Sequence, residues 1–200
     1  MINKQSLVLQ TDKLLIRPLR VNDVTEEYVE GLNDPDVNQY LVAVRQHHQT
    51  KDSIIRYVEA DWDNPLSILF GIFIKNDENP FVGTLRVYNI DFFHFSASIG
   101  ICLFAKRAWK KSYACNALRL VKKYLFEEVQ MHYLEAGVYA VNLNSINCFL
   151  KSGFVEQYRV NDKFRHTNSF EEAIFFAAVN PAFDSSLLKH QRIMNRKEIF

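Results

Sequence analysis

Between Ser96 and Phe126 the hydrophobic period of this chain changes from two to nearly four, and that switch constrains the fold more than any other feature. From Ser96 to Phe104 the residues are β-rich, with Ile99, Ile101 and Leu103 alternating on one side. From Ser112 onward Ala114, Ala117, Leu118, Val121 and Leu125 share a helical face, while Asn116, Arg119, Lys122, Lys123 and Glu127 lie elsewhere. Between the two runs Ala105-Lys106-Arg107-Ala108-Trp109-Lys110-Lys111 places four cations directly before the helix, with Ser112 as the expected N-cap. A helix N-terminus leaves backbone N–H groups unpaired and carries about half a positive charge, so it attracts anions. Lys106, Arg107, Lys110 and Lys111 add whole charges at the same spot, which reads as a phosphate-binding turn. Taken alone, the segment is equally compatible with a solvated basic loop joining a core strand to a core helix.

The rest of the chain alternates strands and helices. Leu7–Leu19 reads as a first strand closed by Pro18. Asn22 or Asp23 is the expected cap of a helix to about Leu32, and Asn33-Asp34-Pro35-Asp36 is a turn. Asp36–Leu41 reads as a short helical segment, Val42–Thr50 as a polar loop, and Thr50 or Asp52 as the cap of a helix through Asp61. Strands are expected over Leu66–Ile74 and Phe81–Ile90, joined by a hairpin turn, and over Leu134–Val141. Asn142–Lys151 reads as a helix stopped by Gly153. Phe154–Val160 and Glu172–Val179 read as strands around a polar loop, Asn161–Phe170. A helical crossover between strands requires parallel pairing there, and the hairpins imply antiparallel pairing elsewhere. The expected class is therefore α/β (α+β): one domain over residues 1–180, built on a mixed central sheet of about six to seven strands flanked by helices, with a helical extension over 181–200.

Composition narrows the function. The 200 residues are 48% hydrophobic and 24% charged, which suits a folded domain with its own core. A net charge of +1 gives no electrostatic case for nucleic acid or an anionic membrane as the main partner. No apolar run approaches ~20 residues, and no signal-peptide core follows the first residues, so the expected location is cytoplasmic. Cys102, Cys115 and Cys148 have neither metal-ligand spacing nor a paired framework, so no metal is expected.

Several phrases resemble the GCN5-related N-acetyltransferases (GNAT). They are Leu15-Ile16-Arg17-Pro18-Leu19, the run from Leu32 to Leu41, Ile99-Gly100, Ser112-Tyr113-Ala114 before Ala117-Leu118, and Asn142-x-x-Ser145 followed by Lys151-Ser152-Gly153-Phe154. The likeness covers about Leu7 to Val179, and its subgroup is the ribosomal-protein-alanine and amino-sugar acetyltransferase-like one. The resemblance implies transfer of an acetyl group from acetyl-CoA to a primary amine without a metal. It implies a splayed pair of parallel strands, Ile99–Phe104 and Leu134–Val141, with the cofactor between them. The backbone of Ile101, Cys102 and Leu103 would bond its pantetheine arm. Its pyrophosphate would sit on the turn formed by Arg107, Lys110, Lys111, Ser112, Tyr113 and Ala114, and Asn142 and Lys151 would complete the cofactor set. The implied acceptor is a small-molecule amine, such as a nucleotide-linked amino sugar, or a protein N-terminus.

The chain departs from the family pattern at the chemistry. The family turn reads Arg/Gln-x-x-Gly-x-Gly/Ala, and here both glycine positions are filled, by Lys110 and Ser112. The opposing reading is a degenerate, non-catalytic binding or scaffold protein. Ser145 is the resemblance's candidate acid for the leaving thiolate; its other reading is a helix cap. Phe149 stands where relatives often carry Tyr. The base is open: Ser98 stands where many relatives have a carboxylate, and Gln157 where others have Glu. His94 is a candidate because imidazole titrates near neutrality, against a plain surface role. Glu172 is a remote alternative, and water is another. The run Asp91-Phe92-Phe93-His94-Phe95 fits an acceptor pocket or a homodimer patch.

Overall fold

A computed structural model describes residues 2–166 and 168–188. An eight-stranded mixed sheet forms the centre, in the order β1-β2-β3-β4-β5-β6-β8-β7. The strands are β1 (Leu9–Gln10), β2 (Leu14–Pro18), β3 (Ile68–Ile74), β4 (Phe81–Asp91), β5 (Ser96–Leu103), β6 (Tyr133–Tyr139), β7 (Val155–His166) and β8 (Ser169–Val179). The helices are α1 (Glu26–Asn33), α2 (Pro35–Asn38), α3 (Val42–Arg45), α4 (Lys51–Asp63), α5 (Tyr113–Glu127) and α6 (Leu143–Lys151).

The class is the expected one, and the differences are local. The single first strand is two, because Thr11 Oγ1 accepts hydrogen bonds from the N–H groups of Lys13 and Leu14 and folds the chain back. The first helix starts later than expected: Asp23 is held by Arg17 in a two-pronged ion pair, and Thr25 is the N-cap. The polar run 42–50 contains one helical turn, α3. The expected loop Asn161–Phe170 is instead the far half of a long hairpin, since β7 and β8 stay paired out to His166↔Ser169. The near half is no less exposed; the far half reads as a loop because Asn161-Asp162-Lys163 is a polar run, and Asp162 does take a left-handed φ of 51 where the register shifts between Val160 and Phe164. Gly153 does end α6, at φ 80. The expected helical extension over 181–200 falls mainly outside the described residues.

Alternation within the strands divides the sheet into two faces. Leu14, Ile16, Ile68, Phe70, Ile72, Leu85, Val87 and Ile99 are almost fully buried on one face, under the Leu118, Val121 and Leu125 stripe of α5. The other face carries Thr84, Arg86 and Tyr88 of β4 and Ser98, Gly100 and Cys102 of β5, in register with one another. Helices α1 and α4 cover part of it: Tyr28 packs on Phe81 and Phe104, and the Arg86 guanidinium lies over Tyr57.

Candidate active site

Only one strand pair in the described sheet is parallel, β5 with β6, and it is paired for three rungs: Ser96↔Tyr133, Ala97↔Leu134 and Ser98↔Glu135. Both strands continue beyond Ser98 and Glu135 without meeting. A crossover through α5 forces them parallel at one end, and the twist of the sheet carries them apart at the other. The free edge of β5 from Ile99 to Leu103 spans roughly 16 Å. Ile101, Cys102 and Leu103 lie along it, half-buried, with their other edge paired to β4. The Leu103 carbonyl accepts from the Trp109 indole N–H at 2.9 Å, which ties the strand to the following turn. Burial pushes the Cys102 thiol up to about 12, which favours its protonated form near neutrality.

The turn after β5 is shaped by two left-handed residues, Lys110 at φ 60 and Ser112 at φ 62. These are the two positions where the family pattern has glycine, so the chain keeps the glycine-like backbone with side chains attached. Ser112 is the N-cap residue of α5, but its side chain makes no cap hydrogen bond. Among the described residues, the N–H groups from Lys111 to Cys115 make no hydrogen bond of normal geometry; the first helical bond is Asn116 N–H to Ser112 O. A left-handed L residue costs about 1 kcal/mol. Ser112→Gly is therefore expected to stabilise the fold by about that amount, raising the melting temperature by roughly 2–4 °C; a lowered midpoint in calorimetry would refute the strain.

The four cations of the turn divide into two pairs. Lys106 bridges Asp34 and Asp36 at 2.7 Å each, and Arg107 is paired with Glu27 and also donates to the Asn79 carbonyl. Both fasten the turn to α1 and α2. Lys110 and Lys111 are exposed and have no ion pair among the described residues.

The start of α6 borders the open end of β6. Asn142 is its N-cap, accepting from Ser145 N–H at 3.1 Å. The capping role considered for Ser145 therefore belongs to Asn142. The Ser145 hydroxyl has no hydrogen-bond partner among the described residues and is half-buried. Lys151 is exposed at the other end of α6, and its carbonyl accepts from Arg119. His94 lies elsewhere. It precedes β5 at the end opposite the turn, and it lines a groove of about 350 Å³ with His132, Asn180 and Phe183. The structure does not bring it together with Ser145. Glu172 is held by Arg159 at 3.0 Å on the outer hairpin.

One group near the split was missed by sequence reasoning. Glu135, at the last paired rung, accepts from Ser98 Oγ at 3.1 Å. In sequence it is only a carboxylate opposite the Leu134, Ala136 and Val138 face, and the cross-strand register that places it beside Ser98 is not local information. Tyr88 and Tyr133 look onto the same spot. Burial first, and then the Glu135 charge, raises both phenols above the ordinary tyrosine range.

Comparison with known proteins agrees with this geometry. The family profile for the acetyltransferase (GNAT) domain matches residues 13–155. A probable N-acetyltransferase of Bacillus subtilis, YjcK, is 26% identical over 180 residues, covering 87% of this chain and 98% of that protein. Among solved structures, a spermidine N-acetyltransferase from Vibrio cholerae in complex with CoA and spermine superposes with a TM-score of 0.76 at 16% identity, covering 86% of this chain and 99% of the other. RimL, a ribosomal-protein alpha-N-acetyltransferase in complex with coenzyme A, gives 0.79 at 12% identity, covering 88% and 99%. At such identities these two likenesses speak to the fold alone.

Proposed function

The chain belongs to the GNAT acetyltransferase family, and on that premise we propose that it moves an acetyl group from acetyl-CoA to a primary amine by direct attack on the thioester. The acceptor is a small-molecule amine or a protein N-terminus. The observation that carries this reading is unpaired backbone at two ends of one path: the edge of β5 beyond the split, and the N–H groups from Lys111 to Cys115 in the turn shaped by left-handed Lys110 and Ser112, with the paired amides of Ala105, Ala108 and Trp109 between them. Ile101, Cys102 and Leu103 would line the pantetheine arm. The amides from Lys111 to Ala114, with Ser112 and Tyr113 among them and the Lys110 and Lys111 ammonium groups beside them, would hold the diphosphate. Arg107 would contribute by fixing the turn through Glu27. Asn142 borders the same opening from the start of α6, whereas Lys151 lies at the far end of that helix.

Bound acetyl-CoA supplies an activated acyl carbon and a thiolate leaving group. Free N–H groups of β5 beyond Ser98 are donors for the carbonyl oxygen as it becomes negative. Ser145 has an uncommitted hydroxyl at the start of α6 and serves as the proton donor to the departing sulfur. The relatives named above act on spermidine and on a ribosomal protein, both amine acceptors, which supports the reaction class without choosing between them.

The test is two-step. Acetyl-CoA at about a hundred times its dissociation constant is expected to add about 2.7 kcal/mol to stability, seen as a higher melting temperature. Thiol release should then follow on addition of a primary amine from a panel of polyamines, amino sugars and alanyl peptides. An unshifted melting temperature with acetyl-CoA overturns the reading, and a shift without thiol release on any amine would leave a binding protein.

A further inference from the structure

We infer that Glu135 holds the acceptor's ammonium group and takes its proton, supplying from β6 the carboxylate that β5 lacks at Ser98. This rests on the acetyltransferase reading above. Ser98 and Glu135 face each other at the last rung before β5 and β6 part. The Ser98 hydroxyl donates to Glu135 Oε1 at 3.1 Å, and Asn89 Nδ2 donates to Ser98 Oγ at 3.4 Å. Ser98 is buried and Glu135 is exposed, so the serine orients the carboxylate while the carboxylate's outer edge stays accessible. A carboxylate steered this way, at the point where the strands open, sits beside the spot where an amine must meet an acyl carbon threaded through the gap.

The space for that amine is present. A methyl group added at Gly100 would meet nothing within 4 Å, and Gly100 is the next residue after Ser98 on the same face of β5. On β6 the corresponding residue is Gly137, where an added methyl would come within 3.3 Å of Phe164 and Phe175. The floor is thus Gly100, Glu135 and Gly137. Aromatic residues of the β7–β8 hairpin wall one side.

The charges around it point to a cation. The groups facing Glu135 are the Ser98 hydroxyl from β5, Tyr88 and Arg86 from β4, Tyr133 from β6, and Tyr158 of β7 beside Tyr133. Arg86 is held by Asp61 at 3.6 Å, a carboxylate it shares with Lys4, and its guanidinium lies over the Tyr57 and Tyr88 rings. Glu135 itself has no ion pair among the described residues and sits among phenol and aromatic groups that suit an ammonium on an apolar stem. The ligand class is therefore a protonated primary amine without a carboxylate next to the nitrogen.

The step balances as follows. The acceptor arrives as an ammonium ion and loses one proton to Glu135, which passes it to water. The freed lone pair forms the nitrogen–carbon bond and the carbon–sulfur bond breaks. The second proton leaves the nitrogen as Ser145 protonates the thiolate, and the serine is restored by that proton.

Glu135→Gln keeps the shape and the Ser98 contact but takes no proton. With the panel amine that the unaltered protein turns over fastest, this variant is expected to lose on the order of 100-fold in kcat at pH 7. Its acetyl-CoA dissociation constant should be unchanged. Its activity should climb with pH as the free amine fraction grows. The exchange variant Ser98→Glu with Glu135→Ser, which moves the carboxylate across the gap, should recover most of the loss. A Glu135→Gln enzyme with unaltered kcat and pH profile overturns the assignment while acetyl-CoA binding still stands. Failure of the unaltered protein to bind acetyl-CoA overturns the proposed acetyl transfer and this assignment together.

Discussion

Asp61→Ala is expected to destabilise the fold by about 3–5 kcal/mol, the cost of removing one partner from a buried charge network. Asp61, near the end of α4, is 5% exposed. One carboxylate oxygen accepts from Leu69 N–H at 2.7 Å, the other from the Ser67 hydroxyl. Lys4 and Arg86 stand at 3.7 and 3.6 Å. Truncation to Ala leaves the buried Leu69 N–H without its acceptor and removes the carboxylate that two cations share, leaving Arg86 with only the Ser67 hydroxyl and Lys4 with only the carbonyls at the end of α4. Lys4 also donates to the Asn64 carbonyl at 2.8 Å, so the same network closes the end of α4. With a total stability of about 5–15 kcal/mol, such a loss is a large fraction of the whole. A urea titration reads it as a fall in midpoint of roughly 1–2 M. A loss under about 1 kcal/mol would mean that the network relaxes easily. Asp61→Asn, which keeps an acceptor for Leu69, should cost distinctly less. The site should feel the change too, because Arg86 without Asp61 becomes a free cation beside Glu135 and would compete with an incoming ammonium.

What the sequence could and could not disclose follows from the range of each interaction. The period switch at Ser96–Phe126 is local, and β5, the turn and α5 appear where it places them. The Gly153 stop is local as well. The long hairpin was half hidden because Asn161-Asp162-Lys163 has the composition of a turn, and the irregularity it marks, Asp162 at φ 51 with a register shift between Val160 and Phe164, interrupts the pairing without ending it. The capping exchange between Ser145 and Asn142 turns on a single backbone hydrogen bond, which composition does not fix. The fates of Lys106 and Arg107 depend on partners about 70 and 80 positions earlier, so the four cations looked equivalent, although among the described residues Lys106 and Arg107 are paired and Lys110 and Lys111 are not. Glu135 was invisible for the same reason: its meaning comes from a three-rung register between strands separated by α5. Local chemistry was legible, and cross-chain pairing decided which of the legible groups are available to a ligand.

That division yields the second large effect. Replacing Lys110 and Lys111 together with Ala is expected to weaken acetyl-CoA binding by about 2 kcal/mol, roughly thirty-fold, at low ionic strength. Lys106→Ala should change it far less. All four cations look alike as a run of charge. In the fold, however, Lys106 is neutralised by Asp34 and Asp36, whereas Lys110 and Lys111 are unpaired on an exposed turn next to unpaired N–H groups. A diphosphate gains most from charge that no carboxylate already satisfies. Because the lysines are exposed, their contribution should shrink as salt shortens the Debye length from about 30 Å at 0.01 M to about 3 Å at 1 M. The contribution of the backbone amides should persist. Titration calorimetry at two salt concentrations separates the parts. If the double variant and Lys106→Ala weaken binding equally, the turn acts as a diffuse basic patch. If the double variant binds as before, the diphosphate is held elsewhere, and the path from the split in the sheet to the start of α5 is not the cofactor's.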